Sequence, residues 1–394
     1  MKYCILIIDG AADWPVKEQG GQTCLEAALT PNLDKLAKKG ITGLTQTVPA
    51  GMEPSSAVAC MSVLGYDPQV YYRGRAAIEA VSMGVNIEEN EAIFRCNLVN
   101  VQDGRMNSYC SGHISNEEAA KLIDALNESL GNENVRFYPG VGYRHLLKLK
   151  GHDEVTQAIC TPAHDITDKM IVDYLPNGKG SSFLRQLMQD SVAVLENHKV
   201  NSDRRAWNEM PANMIWLFWG SGRIPQMPPF RKVHGKSAAI TSAVDLLRGL
   251  GKMMDMDILE IPGVTDKLDN DFIAQASGGL KALDNHDLVV IHVEAPDEAG
   301  HAGSFADKVE AIEIIDREVV GRISSYSNDE LRVLVMPDHF TPVAIKTHVG
   351  EPVPFLLWGE GFDANGARRF TEAEAKRTGL FIENGYNIVN MLVE

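Results

Sequence analysis

The distribution of apolar residues predicts several short strands that are buried on both faces. Six runs are almost continuously apolar, which is typical of parallel strands covered by helices on either side. The predicted strands are YCILIID (3–9), MIWLFWG (214–220), MDILEIPG (256–263), DLVVIHVEA (287–295), LRVLVMPD (331–338) and VPFLLWG (353–359).

Segments whose apolar residues recur three and four positions apart alternate with these runs and predict helices. The predicted helices are residues 30–40 with Thr30 as N-cap, residues 116–131 with Asn116 as N-cap, and residues 237–251 and 305–323. Strands that alternate with helices are typical of the α/β class. We therefore expect helices on both faces of a mostly parallel sheet.

The length of 394 residues predicts more than one domain. The middle of the chain lacks acids at strand ends, and residues 200–232 are rich in Pro, Trp, Arg and Asn. We expect a three-layer α/β/α core from residues 1–84 and 229–394. A smaller α/β domain at residues 85–228 is predicted as an insertion that binds substrate.

Acids and histidines cluster where the predicted strands end. Open α/β sheets bind ligands beyond the carboxyl ends of their strands, so these side chains are expected at one edge. Mixed carboxylate and imidazole ligands suit Mn²⁺, Zn²⁺ or Fe²⁺, and six such groups are enough for two ions. The candidates are Asp9, Asp297, His301, Asp338, His339 and His348.

A nucleophile is predicted at Ser55 or Ser56, which follow the strand-like GLTQTV and precede a helix-like stretch. A serine at a helix N-terminus gains help from the helix dipole when it becomes anionic or phosphorylated. A bound metal can activate its hydroxyl. The residues alone leave the choice between the two serines open.

Charge and cysteine usage narrow the class of protein. The formal net charge of −16 argues against a nucleic-acid or membrane partner, since either needs a basic face. The six cysteines are scattered without a CxxC pair, and no apolar run is long enough for a signal peptide or a membrane span. We therefore expect reduced thiols and a cytoplasmic location.

Several motifs together resemble a known family. They include DGAADWP, SSAVACMSVLGYDP, GVGYRHLL, PDEAGHAG, PDHFTP and THVGEPVPFLLWG, and they span nearly the whole chain. The sequence is similar to the alkaline-phosphatase superfamily, and within it to the archaeal type of cofactor-independent phosphoglycerate mutase. The resemblance implies an alkaline-phosphatase-like core and interconversion of 2- and 3-phosphoglycerate in glycolysis, through a phosphoserine.

The resemblance also implies how the candidate residues are divided between two metals. One ion would be held by Asp9, Ser56, Asp338 and His339. The other would be held by Asp297, His301 and His348. The spacing of the family's serine before LGYDP selects Ser56 as the nucleophile. Mn²⁺ is the expected ion, with Zn²⁺, Mg²⁺ and Co²⁺ as alternatives.

A small phosphorylated acid needs cations for its carboxylate and phosphate, and arginine suits both. The predicted substrate-binding residues are Arg73, Arg75, Arg144, His145, His113 and Lys236. Other stretches resemble a bacterial branch proposed to phosphorylate homoserine, so homoserine phosphotransfer is the alternative function. In that case Glu79, close to the arginines, would pair with the ammonium group. A phosphatase or sulfatase, with water as acceptor, is a third option.

Overall fold

The computed structural model describes residues 1–223, 226–326 and 330–394. They form two compact units, one from Met1–Tyr72 with Gln226–Glu394 and one from Arg73–Pro225. The second unit therefore interrupts the first unit in the chain. Its predicted role in substrate binding stays a prediction. Residues 224, 225 and 327–329, which belong to the two predicted domains, lie outside the described residues.

The strands are β1 (Lys2–Ile8), β2 (Ile41–Thr45), β3 (Glu91–Gln102), β4 (Arg105–Ser108), β5 (Val135–Tyr138), β6 (Arg144–Lys150), β7 (Met214–Ser221), β8 (Ala238–Thr241), β9 (Asp257–Ile258), β10 (Leu288–Val293), β11 (Leu331–Met336), β12 (Val353–Gly359) and β13 (Phe381–Ile382).

The helices are α1 (Cys24–Ala27), α2 (Pro31–Ala37), α3 (Ser56–Val63), α4 (Pro68–Tyr71), α5 (Arg75–Ser82), α6 (Asn116–Leu130), α7 (Ser181–Glu196), α8 (Lys199–Ala206), α9 (Phe230–His234), α10 (Asp245–Met253), α11 (Phe272–Ala282), α12 (Ala295–Ala302), α13 (Phe305–Ile314), α14 (Gly321–Ser324), α15 (Glu372–Thr378) and α16 (Ile388–Val393). A π-helical segment, Ile315–Val320, joins α13 to α14. None of these described helices is long and apolar enough to cross a bilayer.

The sheet of the first unit has the strand order β13-β2-β12-β11-β1-β10-β8-β9. Among its described strands β12 alone runs antiparallel to its neighbours. In the centre of the sheet, Ile8 of β1 is level with Val293 of β10, and Ile7 is level with Met336 of β11. The residues that follow these three strands therefore meet at one carboxyl edge.

Helices cover both faces of this sheet. Cys4, Leu6 and Ile8 of β1 pack on one face in a cluster with side chains of α1, α2, α11 and α13. On the other face the hydroxyl of Tyr3 donates to the backbone oxygen of Val393 in α16. Because β1 is covered on both sides, its sequence is apolar throughout instead of alternating. The predicted α/β class with a three-layer core is confirmed.

The second unit is built on an antiparallel sheet, in which β3 pairs with β4, β6 and β7, and β6 pairs with β5. One face of β3 packs against α6 and α7. The other face carries Ile93, which packs with Ala76, Ala77 and Ala80 of α5. The run 214–220 is thus a strand as predicted, but it belongs to this antiparallel sheet.

Two helices begin at residues other than those predicted from the local sequence. The helix predicted from an Asn116 cap is capped by Ser115, because the Ser115 hydroxyl and the Glu118 side chain form a reciprocal capping box. The segment 237–251 was predicted as one helix. Its first part is β8, because pairing with β10 outweighs the helix propensity of its alanines, and the helix begins only at α10.

Candidate active site

Four side chains from three chain segments converge at the carboxyl edge of the first unit's sheet. Asp9 follows β1, Asp338 and His339 follow β11, and Ser56 is the first residue of α3. His339 Nε2 lies 3.5 Å from Asp9 Oδ1 and 3.3 Å from Asp338 Oδ2. The hydroxyl oxygen of Ser56 is 3.1 Å from the same nitrogen. All four residues are buried, so their polar atoms face one another out of contact with solvent.

The hydrogen bonds of His339 direct its Nε2 lone pair towards these oxygens. Thr341 donates its single hydroxyl hydrogen to Asp297 Oδ1, so it accepts from His339 Nδ1 at 3.2 Å. An imidazole with its proton on Nδ1 has a lone pair on Nε2. Asp9 Oδ1 is buried without a hydrogen-bond partner among the described residues. Buried lone pairs that face each other need a cation between them, so these residues fit a divalent metal.

A second group of ligand-type side chains is formed by Asp297, His301 and His348. Asp297 and His301 lie one turn apart on α12, and Asp297 Oδ2 is 3.2 Å from His301 Nε2. The Nε2 atoms of His301 and His348 are 2.9 Å apart. Since His301 Nδ1 lies 3.0 Å from the backbone oxygen of Lys346, which can only accept, the neutral form of His301 has its proton on Nδ1 and a lone pair on Nε2. This group also fits a divalent metal.

The two groups are adjacent. The ring centroids of His339 and His348 are 4.0 Å apart, and the ring planes are tilted by 33°. Thr341 contacts both Asp297 and His339 and so links one group to the other. Each of the seven predicted metal ligands therefore lies in one of two neighbouring groups, in the same division that the family resemblance implied.

Electrostatics at this edge are dominated by carboxylates. Burial and the charges of Asp338 and Glu294 raise the pKa of Asp9 well above its ordinary value. Burial and Asp297 raise the pKa of Glu294 to about 8. Burial alone would raise the pKa of Asp297 too, but His348 and His301 hold it well below its usual range. In the absence of ions, ionising all of these buried carboxyl groups together is therefore unfavourable.

The two candidate serines have different surroundings at the start of α3. Ser55 is the N-cap, and its hydroxyl accepts from the backbone N–H of Val58 at 3.4 Å. Ser56 is buried, and its hydroxyl is aimed at His339. Ser56 is therefore the serine that lies beside the carboxylate and imidazole cluster, whereas Ser55 closes the helix end.

Two side chains at this edge were not predicted. His292 on β10 places Nε2 2.7 Å from Asp9 Oδ2, and Glu294 Oε2 lies 3.4 Å from the same nitrogen. The hint in the sequence was a histidine and a glutamate at the end of an apolar strand, IHVEA. With Asp9 these residues form a third group of ligand-type atoms within 4.8 Å of one another.

A buried lysine ties the loop after β1 to the loop after β11. Lys308 of α13 donates to Asp13 Oδ2 and to the backbone oxygen of Thr341, both at 2.8 Å, and to that of Ala12 at 3.2 Å. Lys308 and Asp13 are fully buried, and all three ammonium donors have acceptors. The two loops that carry Asp9 and Asp338 are thus held in place by side chains outside the cluster.

The predicted substrate cations are divided between the two units. Arg73, His113 and Arg144 are exposed residues of the second unit. His145 is buried, and its Nδ1 accepts from the backbone N–H of Gly140 at 3.0 Å, so it is out of reach of a substrate. Lys236 precedes β8 at the amino edge of the first unit's sheet, 5.0 Å from the ring of Tyr3, and is not placed with the cluster.

Arg75, predicted as a substrate cation, is part of a buried ionic group. Glu79 accepts from Arg75 Nε at 2.9 Å through one oxygen and from Arg95 Nη1 through the other. Burial alone would raise the pKa of Glu79, but Arg95 and Arg75 hold it below its ordinary value. Arg75 also lies over the ring of Trp219 at 4.5 Å. Both oxygens of Glu79 are therefore occupied by arginines of its own chain.

Replacing Glu79 with glutamine is expected to destabilise the protein by about 3–5 kcal/mol, because two guanidinium groups would lose their buried counter-charge. The measurement is the free energy of unfolding by urea. The control is Asp203→Asn in the exposed Lys199–Asp203 pair, which should cost less than about 1 kcal/mol. Equal effects of the two substitutions would contradict the prediction.

Without ions the protein is expected to lose stability as the pH rises from 6.5 to 8. Burial alone would lower the pKa of His301, but Asp297 raises it from its ordinary value of 6.5 to about 9. The pKa of Glu294 is raised from 4.5 to about 8. A raised folded pKa gives stability that is complete at low pH and is lost as the pH rises through that pKa. Between these pH values the stabilising contributions of His301 and Glu294 both decrease.

The urea midpoint of chelator-treated protein should therefore decrease across that window. The pKa values of His292 and His339 are lowered by burial to about 4, so both are neutral in the folded chain, and only their titration in the unfolded chain, near 6.5, opposes the decrease at the lower end of the window. His301→Gln is the matched control, and its midpoint should depend less steeply on pH. A wild-type midpoint that stays level or rises would refute the predicted direction.

Comparisons with known proteins identify the family to which the chain belongs. The chain is 46% identical to the 2,3-bisphosphoglycerate-independent phosphoglycerate mutase of Methanosarcina acetivorans, with all of both chains covered. The model of the family described as 2,3-bisphosphoglycerate-independent phosphoglycerate mutase matches residues 37–201.

Two solved structures share the fold. A protein from Pyrococcus horikoshii is 28% identical with a TM-score of 0.82, over 99% of this chain and 96% of its own. A cofactor-independent phosphoglycerate mutase from Thermoplasma acidophilum is 24% identical with a TM-score of 0.64, over 100% and 99%. By its full-length similarity to the curated relative, the chain belongs to the family of 2,3-bisphosphoglycerate-independent phosphoglycerate mutases.

Proposed function

We propose that the chain interconverts 2-phosphoglycerate and 3-phosphoglycerate through a phosphoserine on Ser56, without 2,3-bisphosphoglycerate. The observation that carries the proposal is the buried Ser56 hydroxyl, 3.1 Å from His339 Nε2, beside two groups of metal-type ligands. A serine in this position can keep the phosphoryl group on the protein between two half-reactions. Membership of the family supports the choice of substrate.

Two divalent ions are part of the proposal. Asp9, Ser56, Asp338 and His339 would hold one, and Asp297, His301 and His348 the other. Oxygen and imidazole ligands favour Mn²⁺, and Zn²⁺, Mg²⁺ and Co²⁺ are the alternatives. When bound, such ions offset the negative charge of the phosphoryl oxygens and make the serine a better nucleophile.

In the first half-reaction a bond forms between phosphorus and Ser56 Oγ, while the bond from phosphorus to the substrate oxygen breaks. The proton of the serine hydroxyl passes to the departing glycerate oxygen, so no acid or base is consumed. Because Ser55 caps α3, Ser56 is held at the helix N-terminus, whose dipole stabilises the phosphoserine. Lys308 keeps the loops of Asp9 and Asp338 fixed around it.

In the second half-reaction the other hydroxyl of glycerate attacks phosphoserine. The bond from phosphorus to Ser56 Oγ breaks, and the serine regains a proton from the attacking hydroxyl. Water in place of glycerate would instead release inorganic phosphate, which is the phosphatase reaction. Glycerate must therefore stay bound, and we propose that Arg73, Arg144 and His113 of the second unit supply cations for it.

The ionic group in the second unit favours glycerate over homoserine. Homoserine carries an ammonium group, and Glu79 was the acid considered for binding it. Both oxygens of Glu79 are paired with Arg75 and Arg95, so binding an ammonium there would break two buried ion pairs. Glycerate has no ammonium group and leaves the ionic group intact.

The test is a phosphorus NMR assay of the ion-loaded chain with 3-phosphoglycerate and no bisphosphoglycerate. We expect 2-phosphoglycerate to appear and inorganic phosphate to stay at the level of a Ser56→Ala control. A parallel reaction with homoserine and a phosphoryl donor should give no phosphohomoserine. Phosphohomoserine or free phosphate as the main product would overturn the proposed substrate and select one of the alternatives.

A cytoplasmic location completes the proposal. All six cysteines are free thiols in the structure, and five of them are buried. Unpaired cysteines of this kind are typical of proteins in a reducing compartment.

A further inference from the structure

Asp9 is contacted from one side by an imidazole that belongs to neither predicted ligand set. His292 on β10 is fully buried, and its Nε2 lies 2.7 Å from Asp9 Oδ2. Its other nitrogen, Nδ1, lies 3.0 Å from the hydroxyl oxygen of Ser242, the residue after β8. Since β8, β10 and β1 are neighbours in the sheet, the three strands place Ser242, His292 and Asp9 in a row.

The direction of these hydrogen bonds follows from their partners. A carboxylate oxygen can only accept, so His292 Nε2 donates to Asp9. The backbone N–H of Val244 donates to Ser242 Oγ at 3.0 Å, which leaves the hydroxyl hydrogen for His292 Nδ1. Ser242 therefore favours the tautomer of His292 that has its proton on Nε2.

The two side-chain oxygens of Asp9 differ in their hydrogen bonding. Oδ2 accepts from His292, whereas Oδ1 is buried without a partner in the described part of the chain. Oδ1 is also the oxygen that faces His339 Nε2, at 3.5 Å. The hydrogen bond to Oδ2 holds the carboxylate in one orientation, with Oδ1 turned towards His339.

We propose that His292 is a positioning residue for the phosphoryl transfer, oriented by Ser242, which holds Asp9 so that Oδ1 alone faces the ion of the Asp338 and His339 group. This inference rests on the proposed function only in taking Asp9 as a metal ligand. The same residues allow a competing arrangement, in which His292 and Glu294 bind a third ion together with Asp9. The experiment described next distinguishes positioning of Asp9 by His292 from direct binding of an ion by His292.

The experiment measures Mn²⁺ affinity by isothermal titration in two backgrounds, without phosphoglycerate. The double variant His301→Ala/His348→Ala keeps only the group of Asp9. The double variant Asp338→Asn/His339→Ala keeps only the group of Asp297. Adding His292→Leu should weaken Mn²⁺ binding by about 10–100-fold in the first background, the usual cost of losing a partner that orients a ligand, and leave the second unchanged.

Two further variants test the hydrogen bond itself. His292→Gln has an amide that can donate to Asp9 and should recover most of the affinity lost in His292→Leu. Ser242→Ala removes only the group that orients the ring and should weaken binding less than His292→Leu. If His292→Leu fails to fold, as judged by circular dichroism, the Mn²⁺ affinities of His292→Gln and Ser242→Ala test the proposal instead. Wild-type affinity in Ser242→Ala together with a large loss in His292→Gln would then overturn the proposal.

His234→Leu is the matched control, since it removes another buried imidazole of the same unit and should change neither affinity. Equal losses in both backgrounds for His292→Leu, or no loss in either, would refute positioning. Three ions per wild-type chain that fall to two in His292→Leu would refute it in favour of direct ligation. Mutase activity is measured separately, so failure of the proposed substrate is distinguished from failure of the hydrogen bond.

Discussion

Replacing Ser56 with alanine is expected to lower kcat by about 10⁴-fold or more, as found when a nucleophile that acts with its neighbours is removed. The physical reason is that the Ser56 hydroxyl faces His339 Nε2 among the ligand-type oxygens, whereas the Thr341 hydroxyl contacts Nδ1 and donates its hydrogen to Asp297. The measurement is the rate of 2-phosphoglycerate formation with saturating ions. Wild-type protein quenched during turnover should yield a phosphopeptide that contains Ser56.

Ser55→Ala is the matched control because it changes the adjacent hydroxyl on the same helix. It removes an N-cap and should cost about 0.5–2 kcal/mol of stability while leaving the chemistry in place. Phosphate found on Ser55, or an active Ser56→Ala variant, would show that the assignment of the nucleophile is wrong.

Removal of divalent ions is expected to abolish activity, and adding them back should restore it. Without ions, Asp9 Oδ1 and the lone pair of His339 Nε2 face each other with no cation to share. Elemental analysis of the loaded chain should give two ions. The variant His301→Ala/His348→Ala should give one.

The control for this experiment is His286→Ala. His286 Nε2 lies 2.7 Å from Asp257 Oδ2 near the amino edge of the sheet. Because this pair is at the other edge from the ligand groups, the His286→Ala variant should still bind two ions. Full activity after exhaustive chelation would rule out a role for the ions. Two ions in the double variant would instead show that the ligand set of Asp297 is wrong.

The position of the candidate metal ligands at one edge could be predicted from the sequence because it depends on topology. Parallel strands end at the same edge, so Asp9, Asp297 and Asp338 meet whatever the details of packing. His301 follows from its spacing of four residues on a helix. Predicting these positions requires only the order of strands and helices, and the apolar runs and their periodicity indicate that order.

The residues that support the site could not be predicted in the same way. His292 lies inside an apolar strand and is indistinguishable in sequence from a core histidine, until pairing of β1 with β10 brings it to Asp9. Lys308 lies on an amphipathic helix, where a lysine normally points to solvent. Lys236 stands next to an apolar run too, but at the start of its strand, so it reaches the opposite edge.

The contacts of Glu79 in the second unit also depend partly on packing that the sequence does not reveal. Its pairing with Arg75 is local, at a spacing of four residues on α5, and could be anticipated. Its pairing with Arg95 joins a helix to a strand and depends on how α5 packs against β3. Without that second contact, Glu79 remained a candidate for binding a substrate ammonium.

The two ligand groups differ in their exposure to solvent. Asp9, Asp338 and His339 have no exposed side-chain surface, whereas the side chain of His301 is 37% exposed. We therefore expect an ion bound at the inner group to exchange more slowly than an ion bound at the outer group. After a change in the metal supply, the outer position would take up the new metal first.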